Sequence, residues 1–117
     1  MVVSQKSLEP IEFDGLRIFD YTARLDCSSS VALIEVPSGA GHPEVWSKRS
    51  DKYYLVIDGS VLFVLENEPM ELNAGDFCIV RRGQHFSYRN ERASRATMVL
   101  VHTPPFRLED EVFPGSA

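Results

Sequence analysis

The strings KYYLVI (52–57) and SVLFVLE (60–66) meet at Asp58-Gly59, and that junction constrains the fold more than any other feature. Both runs are rich in β-branched and aromatic residues. An Asp-Gly pair between two such runs supplies the positive φ angles of a two-residue turn, so the stretch reads as an antiparallel hairpin. The same grammar recurs on both sides. Asp14-Gly15 separates Ile11–Phe13 from Leu16–Tyr21, and Pro37-Ser38-Gly39-Ala40-Gly41 stops the apolar run VALIEV (31–36). Asn67-Glu68-Pro69, Ala74-Gly75-Asp76 and the RRGQ turn then bracket MELN, FCIV (77–80) and HFSYRN (85–90). Glu44–Lys48 reads as a further short strand, and ATMVLVH (96–102) as the last, ended by Pro104-Pro105.

No window carries a helical period. About ten short strands at turn-rich intervals specify an all-β chain folded as a small antiparallel β-barrel or sandwich. At 117 residues a single domain is expected over 1–117, with a polar arm over about 1–10 and an acidic tail over about 105–117 that packs outside the barrel or frays. Hydrophobic residues make up 44% of the chain, enough for a core that needs no disulfide or structural metal. Cys27 and Cys78 are too few and too far apart for either framework, and both are expected to be structural.

The net charge of −5 argues against nucleic acid as a partner, because phosphate binding needs a basic surface. No apolar run approaches the length of a membrane span. The opening MVVSQKSLEPIEFDG lacks the apolar core of a secretory signal, so a cytoplasmic location is expected.

Residues 39–90 resemble the paired motifs of the cupin family, written G-x5-H-x-H-x3/4-E-x6-G and G-x5-P-x-G-x2-H-x3-N. Gly59 closes the first motif; Gly75, Gly83 and Asn90 hold their places in the second. The YYLVIDG and SYRN strings and the closing TPPFRLEDE also look cupin-like. The resemblance implies a double-stranded β-helix, a jelly-roll-like barrel, and a homodimer formed through outer strands. It also implies a divalent metal, but the residues at the ligand places do not support one. The glutamate place is Lys52 and the second histidine place is Phe86. The first pair of histidine places falls on Trp46 and Lys48 with the shorter spacer, and on Val45 and Ser47 with the longer. Rings and ammonium groups offer no lone pair that converges on a metal. No metal and no cofactor are therefore expected.

Alternation along strands puts Trp46 and Lys48 on one face, Lys52 and Tyr54 on one face, and Phe86 and Tyr88 on one face. If the motif places face inward, these residues, with His102 at the end of the last strand, line a small-molecule pocket. Two ammonium groups there suit a carboxylate or phosphate, and the rings suit a stacked or sugar-like ligand. Plain core filling by the aromatics, and a solvated SKRSDK run, are the simpler alternatives. Arg81-Arg82 reads either as an anion clamp or as a solvated turn.

Three functions stay open. The first is a metal-free domain that binds an anionic or sugar-like molecule. The second is a metal-independent epimerase or isomerase with His85 or His102 as base and Tyr54 or Tyr88 as acid. The third is a metal enzyme with an offset site drawn from His42, Glu44, His85 and His102.

Overall fold

The structure is a computed structural model that describes residues 1–115. Its strands are β1 (Ile11–Phe13), β2 (Leu16–Asp20), β3 (Ser30–Val36), β4 (Gly41–Ser47), β5 (Asp51–Asp58), β6 (Ser60–Leu65), β7 (Glu68–Asn73), β8 (Phe77–Val80), β9 (Phe86–Arg89), β10 (Ala96–Thr103) and β11 (Glu111–Val112). Short 3-10 turns cover Gln5–Ser7 and Leu108–Asp110. No helix among the described residues is long and apolar enough to cross a membrane.

All pairings are antiparallel and build two facing sheets. One runs β1-β2-β3-β10-β5-β8 and the other β11-β4-β9-β6-β7. Strand β10 sits centrally in the six-stranded sheet, with every second residue buried from Ala96 to His102. Its register sets Met98 opposite Val56, Leu100 opposite Tyr54 and His102 opposite Lys52. The small-barrel expectation is met, and the ten expected strands are present with ends shifted by a few residues.

Gly59 is required twice over. Its φ of +75° suits a tight turn, and a Cβ there would come within 2.7 Å of the Arg95 carbonyl oxygen. That turn is not the expected hairpin: β5 pairs with β10 and β8 in one sheet and β6 with β7 and β9 in the other, so Asp58-Gly59 carries the chain between the two layers. Asn90, the motif asparagine, is fully buried. Its Nδ2 donates to the carbonyls of Val36 (2.9 Å) and Ser94 (2.7 Å), while its Oδ1 accepts the Arg92 amide (2.8 Å). It is a structural clip that joins the end of β3 to the loop before β10.

Over its described residues, 105–115, the tail does not pack outside the barrel or fray; the last two positions of that expectation lie outside the described residues. β11 pairs with β4 at Trp46 and Ser47, and the Lys48 amide donates to the Asp110 carbonyl at 2.8 Å. Residues 106–113 thus lie across one end of the barrel. Nothing in the composition of this acidic, Pro-flanked stretch signals a two-residue strand whose partner lies far back in the chain. The cysteines differ in fate: Cys78 is buried as expected, whereas Cys27 is exposed and fills no core position.

Candidate functional site

The barrel end beneath the tail encloses a cavity of about 330 Å³. Its walls are mostly apolar, with Phe13, Ile34, Leu100, Phe106 and Phe113 among them, and a few polar groups converge between them: His42, Lys52, Tyr54, Tyr88, His102 and Glu111. An apolar hollow with a small set of aimed polar groups is the usual make-up of a small-molecule site. The strands deliver these groups by register. Lys52 and His102 are opposite one another on β5 and β10, and His42 is opposite Tyr88 on β4 and β9.

Lys52 is the hub. Its side chain is 3% exposed, and Nζ donates to Glu111 Oε1 at 2.5 Å and to His102 Nε2 at 2.8 Å. The ammonium also lies 5.6 Å from the Phe86 ring centroid and 5.9 Å from that of Phe106. Burial pulls the Lys52 pKa down, and the Glu111 carboxylate opposes that pull. His102 is held neutral: burial, then the Lys52 charge, then His42, push its pKa down to about 3. A neutral ring is also what the hydrogen bond requires, because Nε2 must present a lone pair to an ammonium donor.

His42 sits deeper along β4. Its Nδ1 lies 2.8 Å from the Pro43 carbonyl oxygen. A carbonyl only accepts, so Nδ1 carries the hydrogen and Nε2 keeps the lone pair. Burial lowers the pKa of the ring, the bond to Pro43 opposes this, and the Lys52 charge lowers it further. The ring packs 5.7 Å from Tyr88 and 5.8 Å from Phe86. Tyr88 and Tyr54 face one another edge-on at 5.7 Å, and both phenols are held protonated by burial. The Tyr88 hydroxyl is buried among protein atoms without a hydrogen-bond partner. An orphaned buried hydroxyl is uncommon and costs stability unless something else answers it.

The cupin-domain profile matches residues 32–102, which carry strands from β3 to β10 and most of these groups. The chain belongs to the cupin family. No curated protein sequence matches it. Among solved structures, the fold is similar to Pac13 of Streptomyces, described as a unique nucleoside dehydratase. A histidine-to-glutamine variant of that protein with uridine is 26% identical, covers 93% of this chain and 86% of its own, and superposes with a TM-score of 0.81. Two further uridine structures of Pac13 each replace a tyrosine by phenylalanine. A predicted oxalate decarboxylase from Thermotoga maritima aligns at a TM-score of 0.78 and 16% identity, over 89% of this chain and 99% of its own. A cupin-superfamily sugar phosphate isomerase from Silicibacter pomeroyi aligns at 0.77 and 18%, over 88% and 75%. At those two identities the likeness is one of fold.

Within this cupin barrel, the residues singled out from sequence divide. Lys52, Tyr54, Tyr88 and His102 all line the cavity. Phe86 is buried but stands behind the wall, stacked on Phe63 at 5.6 Å. Trp46 and Lys48 do not face inward. Val45 and Ser47 are the buried residues of that strand, Trp46 stacks on His85 outside at 5.8 Å, and Lys48 is exposed. The longer motif spacer therefore describes this barrel. The register shift between His42 and Val45 is the physical reason: it lets two residues three apart both turn toward the interior.

That shift also hid His42, which the spacing presents only as a member of an offset metal set. The set itself is not assembled. His42 and His102 line the cavity, while His85 pairs with Glu44 at 3.1 Å on the outer surface, where a base could not reach an interior ligand. At the family's metal places the barrel presents Val45, Ser47, Lys52 and Phe86. The Ser47 hydroxyl is already occupied by the amides of Arg49 and Ser50. No three His, Cys, Asp or Glu side chains among the described residues converge as a metal set. These donors do not fit a divalent metal. Arg81 is exposed and pairs loosely with Asp51 at 3.6 Å, the fate of an ordinary polar turn. Glu111, missed from sequence, is the buried counter-charge of the site.

Proposed function

We propose that this cupin is a metal-independent acid–base enzyme that takes a small sugar-bearing molecule of the nucleoside class into the cavity, with His42 as base and Tyr88 as acid. The observation that carries the reading is the state of His42. Its Nδ1–H is committed to Pro43, its ring is kept neutral, and its Nε2 lone pair is left for a substrate proton. Tyr88, across the β4–β9 pair, adds a protonated phenol with no protein partner. The fold likeness to a nucleoside dehydratase solved with uridine supports the substrate class and the reaction type.

In such a reaction His42 Nε2 removes a proton from carbon next to a carbonyl, and the C–H electron pair becomes the new C=C bond. The departing hydroxyl takes the Tyr88 proton and leaves as water, and the proton on His42 then restores Tyr88 through solvent. No metal is needed to balance these steps.

The test is two-fold. Uridine and related nucleosides are titrated by calorimetry, and carbonyl-bearing nucleoside derivatives are incubated in D2O while C–H exchange is followed by NMR. Exchange that is lost in His42→Gln and slowed about 100-fold or more in Tyr88→Phe supports the proposal. Binding without exchange in the wild type reduces the protein to a metal-free binding domain. Exchange undiminished in His42→Gln refutes the assignment of the base.

A further inference from the structure

We infer that the cavity selects uncharged ligands and rejects carboxylates and phosphates, because its one cation is neutralised from within by the protein's own tail. This deepens the proposal above by stating the charge class of the ligand, and it rests on that cavity being the ligand site. It also reverses the expectation drawn from sequence, where Lys48 and Lys52 together suited an anion.

The charged side chains that line the cavity are Asp20, Lys52 and Glu111, two acidic and one basic. Lys48 lies outside. Lys52 is answered by Glu111 at 2.5 Å, and both side chains are nearly sealed from water, at 3% and 5% exposure. A lysine ammonium has three N–H groups. Two are spent on Glu111 and His102, so one remains to give to a ligand. A hydroxyl or carbonyl oxygen can accept it without bringing a net charge.

A carboxylate or phosphate entering the same space would meet Lys52 already paired, with the Glu111 carboxylate beside it and Asp20 on the wall. It would have to displace Glu111 or remain an uncompensated anion away from water, and both are costly. Displacement is resisted by the backbone, since Glu111 opens β11 and its neighbour Asp110 accepts the Lys48 amide. Rejection here comes from a repulsive group placed at the site, a common route to specificity.

Calorimetry on the full chain tests this with two matched pairs: uridine against uridine 5′-monophosphate, and ribose against ribose 5-phosphate. The neutral member of each pair is expected to bind at least about tenfold more tightly. Glu111→Gln keeps a hydrogen-bond acceptor for Lys52 but removes the counter-charge. In that variant the ratio of phosphate to neutral-ligand affinity is expected to shift toward the phosphate by about tenfold or more. If the ribose pair shows the preference and neither uridine compound binds, the nucleoside reading fails and this inference stands. A phosphate that binds the wild type as tightly as its neutral partner overturns it, as does the absence of binding by every neutral member. Should Glu111→Gln fail to fold, the wild-type comparison decides alone.

Discussion

Replacing Lys52 by methionine is expected to be among the most damaging single changes in this barrel. Methionine approximates the length and apolar stem of lysine, so the loss is mainly of charge and hydrogen bonds. What remains is a Glu111 carboxylate at 5% exposure with no ammonium, and a His102 Nε2 with no donor. Breaking a buried pair by removing one partner costs about 3–5 kcal/mol, because the other charge stays desolvated. At about 2.1 cal/mol/K per residue, a chain of 117 residues unfolds with roughly 0.25 kcal/mol/K of entropy. The Tm should therefore fall by about 12–20 °C. Lys52→Met combined with Glu111→Leu removes both charges and should recover most of the loss, to within about 1–2 kcal/mol of wild type, with His102 still lacking its donor. Urea unfolding at pH 7 of the wild type, both single variants and the double variant closes the cycle. A Lys52→Met cost below about 1 kcal/mol, the worth of an exposed pair, would refute the reasoning, as would a double variant no more stable than the weaker single one.

Other outcomes follow from the same geometry. His102 is held down to about pKa 3 in the fold against 6.5 ordinarily, so between those values the unfolded chain binds the extra proton. Stability should then fall as pH drops from 6.5 toward 3 and level off below, by up to about 5 kcal/mol; urea midpoints across this range check it, and His102→Gln should flatten the slope. The lowered pKa of His42 adds to the slope in the same direction. Asn90→Ala removes three hydrogen bonds at a fully buried position and should cost about 2–4 kcal/mol by thermal or urea unfolding. Lys48→Ala should leave the binding of any cavity ligand within about twofold of wild type, because Lys48 lies on the outer face. A large loss in calorimetry would restore the inward placement of that strand's even-numbered residues.

Much of the architecture was legible because turns and alternation are local. Asp14-Gly15 dictated the β1–β2 hairpin through backbone sterics alone, with both residues at positive φ. The similar Asp58-Gly59 turn instead passes the chain from one sheet to the other, a choice made by the packing of β5 and β6 in opposite layers. Regular alternation put Lys52 and Tyr54 on one face, and Tyr88 with Phe86 on another, and all four point into the barrel. Where alternation is interrupted, that logic inverts. The irregularity between His42 and Val45 turned Trp46 and Lys48 outward and brought His42 in.

By itself, then, the sequence determined an antiparallel barrel of the cupin type and removed the donors a metal would need, since both depend on which residue stands at which place. Only the tertiary structure decided the character of the cavity. Lys52, His102 and Glu111 lie in three separate segments, and a charge becomes neutral or available according to what the fold sets within a few ångströms of it in a medium that screens poorly. The packing of residues 106–113 over the barrel end supplied that partner, setting the Glu111 carboxylate against the ammonium that the sequence left unpaired.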